Sequence, residues 1–151
     1  MFSIVSKISH VPIQSRTAYV VDIDNTLIIS KTEAGQPRKF KLHDRQALLW
    51  FERVRQKCPH NDIVYLTKRP EKGKELTELE LKTLGLPLFP ILFCIDDKGL
   101  RYLEYCYFSK KNPQRLIFID DMIENLIDFL NVFPTADCYK IDFENNINEF
   151  V

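Results

Sequence analysis

The sequence predicts an α/β fold, a doubly wound parallel sheet of five strands with helices on both faces, in a single domain over residues 1–151. Short apolar runs alternate along the chain with longer stretches whose apolar residues recur at helical spacing, an order typical of parallel sheets. Proline or glycine falls at several boundaries between these stretches. The length of 151 residues suits one domain with one sizeable core.

Five apolar runs are too short for helices and are bounded by polar residues or proline, so we interpret them as strands. They cover residues 18–23, 63–66, 91–95, 116–119 and 138–141. In a right-handed doubly wound sheet the first, second and fourth strands can be neighbours. The predicted spatial order is therefore 3-2-1-4-5, a Rossmann-like arrangement.

Two helices are predicted in the first half of the chain. The first covers residues 44–57 and ends before Pro59, because the residue before a proline disfavours helical dihedral angles. The second begins near Glu71 and ends at Gly85, a residue type that commonly caps helix ends. On one face of the second helix the apolar spacing places Leu76, Leu79 and Thr83 or Leu84.

Two further helices are predicted in the second half. The third begins around Lys98 and runs through Leu100, Leu103 and Tyr107. The fourth covers residues 122–131, and helical spacing predicts a buried stripe on it. The residues of that stripe are Ile123, Leu126, Ile127 and Leu130.

Two segments lack a clear period. Residues 28–41 are rich in Ser, Thr, Gly, Pro and charge, and they are either a mobile flap beside a site or a plain exposed connection. Residues 1–17 have only scattered apolar positions. We expect them to be neither a secretory signal nor a membrane span.

Composition argues against several classes of protein. Lys plus Arg equals Asp plus Glu, and no long block of one sign occurs, which disfavours binding to nucleic acid or to an acidic membrane. The four cysteines are far apart and favour reduced thiols over a zinc site or disulfides, with Cys94 a core residue. The four glycines form neither a Walker loop nor a dinucleotide fingerprint.

The first strand ends in two carboxylates, Asp22 and Asp24, followed by Thr26. The carboxyl ends of parallel strands form the edge where open α/β folds bind ligands. Carboxylates so close together repel one another unless a cation lies between them. Mg²⁺ fits, because it binds one or two carboxylates together with phosphate oxygens and water.

Polar residues also follow the other strands. Thr67 follows the second strand, Lys98 opens the helix after the third, and the Asp120-Asp121 pair ends the fourth. We expect these side chains to converge with Asp22 at one edge of the sheet.

In this order the motifs resemble those of the haloacid dehalogenase (HAD) superfamily of phosphohydrolases, over nearly the whole chain. The resemblance implies an HAD-like fold, Mg²⁺ as cofactor and a phosphorylated substrate. More narrowly, Thr67-Lys68-Arg69-Pro70 with the later Thr77 is similar to an HAD-like group from intracellular bacteria, some relatives of which are effector phosphatases acting on protein phosphotyrosine. This likeness implies a protein that is located in the cytoplasm, or that is delivered into a host cell as an effector.

The chemistry of phosphate esters gives each residue a role. Asp22 is the expected nucleophile and Asp24 the expected general acid and base. The expected Mg²⁺ ligands are Asp22, Asp121 and Asp120, with Asp121 favoured over Asp120 as the direct ligand. The resemblance to the HAD superfamily implies that Asp24 is a further ligand through its backbone carbonyl. Thr67 and Lys98 are expected to contact the phosphate oxygens. Asn125 is expected to orient the Asp120-Asp121 pair.

Each assignment has a structural alternative. The Asp22 and Asp24 pair could be a turn or helix cap, and Thr67 could cap the following helix. Lys110 and Lys111 compete with Lys98 for its place. Arg69 either contacts substrate or is an exposed residue in a salt bridge, the second being favoured.

Spacing leaves no room for a large cap domain. About 40 residues separate Thr26 from Thr67, and they must already contain a helix and a strand. An open site favours a phosphate carried on a large molecule, so we expect a capless phosphatase acting on a phosphorylated protein, with phosphotyrosine slightly ahead of other phosphomonoesters. The alternatives are a nucleotide or nucleic-acid-end phosphatase and a non-catalytic interaction module on an HAD scaffold.

Overall fold

The structure, a computed structural model, describes residues 2–58 and 62–143. The predicted single domain also includes positions 1, 59–61 and 144–151, with Pro59 among them, which lie outside the described residues. Within the described ranges the fold is α/β, as predicted. Every helix there is too short or too polar to cross a lipid bilayer.

Six parallel strands form the central sheet, in the spatial order β6-β5-β2-β7-β8-β1. Their bounds are Phe2–Val5 (β1), Ala18–Val21 (β2), Ile63–Thr67 (β5), Ile91–Phe93 (β6), Leu116–Asp120 (β7) and Asp137–Ile141 (β8). A separate antiparallel hairpin consists of Ile28–Lys31 (β3) and Lys39–Leu42 (β4). The α-helices are Ala47–Lys57 (α1), Lys74–Thr83 (α2), Lys98–Ser109 (α3) and Ile123–Val132 (α4).

Strand β2 lies between β5 and β7, and this register determines what meets at the carboxyl edge. Val21 pairs with Tyr65 on one side and Ile119 on the other. Because the strands are parallel, the residues that follow these three positions emerge at the same edge of the sheet.

Alternate residues of the strands build a core on each face of the sheet. On one face Phe51 of α1 packs near Tyr65 of β5, with ring centroids 6.1 Å apart. On the other face Phe129 of α4 stacks on Phe118 of β7 at 4.1 Å. The helices therefore cover both faces, as predicted, and hold the carboxyl edge rigid.

The predicted count of five strands was wrong, because residues 2–5 add β1 beside β8. Its alternate side chains are exposed, with Phe2 40% and Ile4 61% exposed, so it lacks the continuous apolar run by which we identified the others. Residues 28–41 form most of the β3–β4 hairpin rather than an irregular segment. Ile28 and Ile29 anchor the hairpin in the core.

Helix α1 begins at Ala47, three residues later than predicted. Asp44 is buried and accepts a hydrogen bond from the Gln46 backbone N–H at 2.9 Å. A carboxylate bonded to a backbone N–H two residues on favours a turn over a helix. Asp44 therefore precedes the helix instead of belonging to it.

The predicted apolar face of α2 is not its buried face. Leu76 and Leu79 are 56% and 58% exposed, and the buried residues are Thr77, Glu80 and Leu81. Residues 71–73 form a separate 3-10 turn before the helix. The inward face is polar because it meets two arginines beside the candidate site.

Helix α4 is also rotated away from the predicted stripe. Ile123 and Ile127 are 39% and 53% exposed, whereas Asn125, Leu126 and Phe129 are buried. Leu126 is buried as predicted, and Asn125 beside it faces inward, where its amide donates to the buried Asp120. Asn125 and Phe129 thus occupy the inward face in place of the two isoleucines.

Helices α3 and α4 make a close contact at Gly99. A Cβ atom at this position would lie 2.7 Å from the carbonyl oxygen of Asp128 and 2.9 Å from a methyl group of Val132. Only glycine permits this approach. The contact fixes the start of α3, and therefore the position of Lys98.

Candidate active site

A tight turn after β2 places Asp22 beside the end of β7. The Asp22 backbone N–H donates to the Ile119 carbonyl, and the chain then folds back so that the N–H groups of residues 26–28 reach the Ile23 carbonyl. Asn25 adopts a left-handed conformation with φ of 63°, which asparagine tolerates better than most residues. Thr26 closes the turn by donating to the Asp22 carboxylate at 2.9 Å.

A buried lysine joins the two strand ends. The Lys98 ammonium donates to Oδ1 of Asp22 at 2.7 Å and to Oδ2 of Asp120 at 2.6 Å. All three residues are at most 5% exposed. The structure therefore brings together residues from three separate predicted motifs.

Asp22, Asp120 and Asp121 form an acidic trio in which one oxygen of each lies within 4.8 Å of the others. Asp120 is completely buried. Its carboxylate accepts a hydrogen bond from the Met122 backbone N–H, and the Asn125 amide nitrogen lies 3.2 Å from each of its two oxygens. Asp121 is half-buried. Asn125 thus lies where an orienter of the acidic pair was predicted.

The charges of the trio are not balanced by Lys98. Burial and the nearby Asp120 carboxylate raise the pKa of Asp22 well above its ordinary value, against the opposing effect of Lys98. Burial raises the pKa of Asp121 to about 6, with repulsion from Asp120 adding to the rise and a hydrogen bond to Asp22 opposing it. Burial alone would lower the pKa of Lys98, but Asp22 and Asp120 raise it, so the ammonium keeps its charge.

This donor set fits a hard divalent cation. Three carboxylates face one ammonium, which leaves an excess of negative charge in a largely buried space, and carboxylate oxygens are the ligands that such cations prefer. A bound cation would counteract the burial and the repulsion that raise the pKa values of Asp22 and Asp121. The trio could therefore hold a metal ion, although its geometry does not identify which metal.

The Asp24 side chain lies apart from the trio. Both of its oxygens accept hydrogen bonds from Arg69, at 2.8 and 2.9 Å. Arg69 is not the exposed residue that we favoured from sequence, since its side chain is only 12% exposed. Burial opposes the charge of Arg69, but its bonds to Asp24 and Glu80 raise its pKa.

Sequence analysis missed the next two members of this network. The nearly buried carboxylate of Glu80 accepts from Arg69 at 2.9 Å and from Arg38 of the hairpin segment at 3.0 and 3.1 Å. The signal was a polar pair, Thr77 and Glu80, at helical spacing beside Leu81. A glutamate on a buried helix face requires a cationic partner.

Thr67 and the competing lysines have clear positions. Thr67, at the end of β5, is buried, and its hydroxyl oxygen accepts from the Arg69 backbone N–H at 3.1 Å.

Lys110 and Lys111 follow the far end of α3, and Lys111 lies 3.6 Å from Asp62. Neither lysine competes with Lys98 at the acidic trio. All four cysteines are buried free thiols, and Cys94 is a core residue as predicted.

Comparison of the chain with protein-family models, with curated proteins and with solved structures finds no match.

Proposed function

We propose that the protein is a Mg²⁺-dependent, capless phosphatase of the HAD type that hydrolyses phosphomonoesters through an aspartyl-phosphate. The observation that carries the proposal is the buried Lys98, which links Asp22 to Asp120 within the acidic trio at the carboxyl edge. A nucleophilic carboxylate beside an ammonium and a cation site answers the main difficulty of phosphoryl transfer, which is repulsion between anions.

Asp22, Asp120 and Asp121 would hold the Mg²⁺, with the Asp24 backbone carbonyl as a further ligand. When bound, the ion supplies positive charge that draws the phosphate oxygens towards Asp22. Lys98 contributes a second, permanent positive charge at the same carboxylate. Thr67, at the end of the neighbouring strand, supplies a hydroxyl for an equatorial oxygen.

The reaction divides into two displacements. An Asp22 oxygen attacks phosphorus, the bond from phosphorus to the leaving oxygen breaks, and Asp24 gives that oxygen a proton. Asp24 then takes a proton from water as the water attacks the phosphorus, which releases phosphate and restores the Asp22 carboxylate. In the structure both Asp24 oxygens accept hydrogen bonds from Arg69. Before the first displacement this carboxylate must therefore turn from Arg69 towards the leaving oxygen and take up a proton from water.

The substrate we propose is a phosphate displayed on a protein, with phosphotyrosine ahead of other phosphomonoesters. Supporting this, the hairpin is the only insertion between β2 and α1 among the described residues, so no cap domain there encloses a small metabolite. The balanced charge of the chain gives no support to a nucleic-acid substrate.

A phosphatase assay with adduct formation tests the proposal. We expect hydrolysis of p-nitrophenyl phosphate that depends on Mg²⁺ and stops on chelation. In the presence of Mg²⁺ we also expect beryllofluoride to form a stable adduct at Asp22, which fluorine NMR spectroscopy would detect. Absence of both hydrolysis and adduct would favour a non-catalytic interaction module. A panel of phosphotyrosine, phosphoserine and nucleotide substrates then ranks the substrate classes.

Stabilisation by Mg²⁺ should depend on pH. Without metal, Asp22 and Asp121 have pKa values above those of the unfolded chain. The folded state therefore binds extra protons, and the stability that protonated Asp121 contributes is lost as pH rises through about 6. Mg²⁺ requires the deprotonated groups, so its stabilising effect should grow over the same range.

At free Mg²⁺ near ten times its Kd we expect the melting temperature to rise by about 3–6 °C at neutral pH. The increase at pH near 5 should be smaller. Thermal unfolding with and without Mg²⁺ at both pH values measures these increases. In the Asp121→Asn variant the increase in melting temperature on adding Mg²⁺ should be smaller. Equal increases at both pH values would contradict the assignment of this trio as the cation site.

A further inference from the structure

A cleft of about 650 Å³ opens beside Asp24, between the hairpin and the start of α2. Its walls combine two guanidinium groups, of Arg38 and Arg69, with the apolar surfaces of Pro70 and Leu76. Leu76 is 56% exposed there. The cleft lies on the side where the proposed proton donor Asp24 meets solvent, so a leaving group bonded to a phosphate at Asp22 would extend into it.

The charges of the two arginines in the cleft are matched. Arg38 and Arg69 are both bonded to Glu80, and Arg69 is also bonded to Asp24. Two guanidinium charges thus face two carboxylates, and the exposed Lys72 on the cleft wall adds one further positive charge. A second phosphate, such as that of a nucleoside diphosphate, would meet only this one solvated ammonium as uncompensated charge.

The two arginines use their edges for these bonds. Arg38 contacts Glu80 through Nε and one terminal nitrogen, and Arg69 contacts Asp24 in the same way. Carboxylates bind a guanidinium in its own plane, so the flat faces are left for other contacts. The Arg38 side chain is 34% exposed. Planar guanidinium faces stack on aromatic rings.

We propose that this cleft binds the aromatic ring of an aryl phosphate, with Arg38 stacked on the ring and the phosphate held at Asp22. The inference rests on the proposed function and adds to it the place where the aromatic ring binds, with Arg38 as the residue that selects aryl over alkyl phosphates. Glu80 is a positioning residue in this arrangement, because it holds Arg38 over the cleft.

Phenyl phosphate and cyclohexyl phosphate provide a matched pair, because they are similar in size and only one has a flat aromatic face. Their binding to Asp22→Asn protein with Mg²⁺ is measured by calorimetry, beside inorganic phosphate. We expect phenyl phosphate to bind about two- to fivefold more tightly than cyclohexyl phosphate. Phenylphosphonate and cyclohexylphosphonate, which are not hydrolysed, give the same comparison on the unmodified protein.

Arg38→Lys keeps the positive charge but removes the planar group, so the preference for the phenyl compound should disappear while binding of inorganic phosphate is unchanged. Lys39→Met, at the neighbouring exposed lysine, is the control and should keep the preference. Equal binding of the two organic phosphates, or a preference that survives Arg38→Lys, would overturn the inference. Failure of inorganic phosphate to bind the unmodified protein in the presence of Mg²⁺ would instead overturn the proposed function.

A phosphotyrosine peptide distinguishes the two sources of an aryl phosphate. Tighter binding of the peptide than of phenyl phosphate would identify a protein substrate. Equal binding would identify a small aryl phosphate. Both results support aryl phosphates as the substrate class. If cyclohexyl phosphate bound more tightly than both the peptide and phenyl phosphate, the inference would be contradicted.

Discussion

Replacing Asp22 by asparagine should reduce the turnover of p-nitrophenyl phosphate by about 10⁴-fold or more, which is the scale of loss on removal of an attacking group. The amide has the same shape as the carboxylate but cannot form an acyl phosphate. Its single oxygen can still accept a hydrogen bond from Lys98, whereas its NH2 group cannot accept the bond that Thr26 donates to Asp22. Steady-state kinetics with saturating Mg²⁺ measure the loss.

The stability of this variant separates chemistry from folding. Because repulsion and burial raise the pKa of Asp22, removing its charge should leave the metal-free protein as stable as the wild type or more so. Asp137→Asn, at the amino end of β8, is the matched control and should retain activity. Protein quenched in acid after reaction with labelled substrate should carry label in the wild type and in Asp137→Asn, but not in Asp22→Asn. Turnover by Asp22→Asn at the wild-type rate would exclude this residue as nucleophile.

Replacing Lys98 by methionine should have the largest effect on stability, about 3–5 kcal/mol at neutral pH without metal. Methionine fills a similar space but leaves Asp22 and Asp120 buried without their cation. Turnover should fall by about 10²–10³-fold, because a charge that stabilises the transition state is lost. Urea unfolding, with and without Mg²⁺, measures the first effect, and Mg²⁺ should recover part of it.

Lys111→Met is the control for this prediction. Lys111 lies in a partly exposed ion pair with Asp62, and such pairs contribute at most about 1 kcal/mol. In the Lys98→Met background, adding Asp22→Asn should restore stability, because one of the two unmatched charges is removed. A Lys98→Met protein as stable as Lys111→Met, or a double variant less stable than Lys98→Met, would show that Lys98 does not balance these carboxylates.

Much of the acidic trio could be predicted because it depends on strand ends. Apolar runs locate β2 and β7, and parallel pairing then brings the residues that follow them to one edge. Asp22, Asp120 and Lys98 were predicted in this way, and the structure joins them by hydrogen bonds. Local sequence determines such a site once the sheet is recognised.

The network around Asp24 could not be predicted in the same way, because it depends on how a helix is rotated. The apolar spacing of α2 suggested that Leu76 and Leu79 face inward, but Thr77 and Glu80 do so instead. Their partner Arg38 comes from a segment without clear periodicity. Pairing between distant polar residues leaves no periodic signal in one sequence, so helix rotation and side-chain partners had to come from the three-dimensional structure.

The pairing of β1 with β8 has a consequence for biosynthesis. The strand at residues 2–5 is synthesised long before its partner at residues 137–141. Strand β7, which carries Asp120, likewise gains its neighbour β8 only when that segment has been made. Pairing of segments as distant in sequence as β1 and β8 is slow. Until it occurs, the nascent chain exposes strand edges that chaperones bind and that other chains can join.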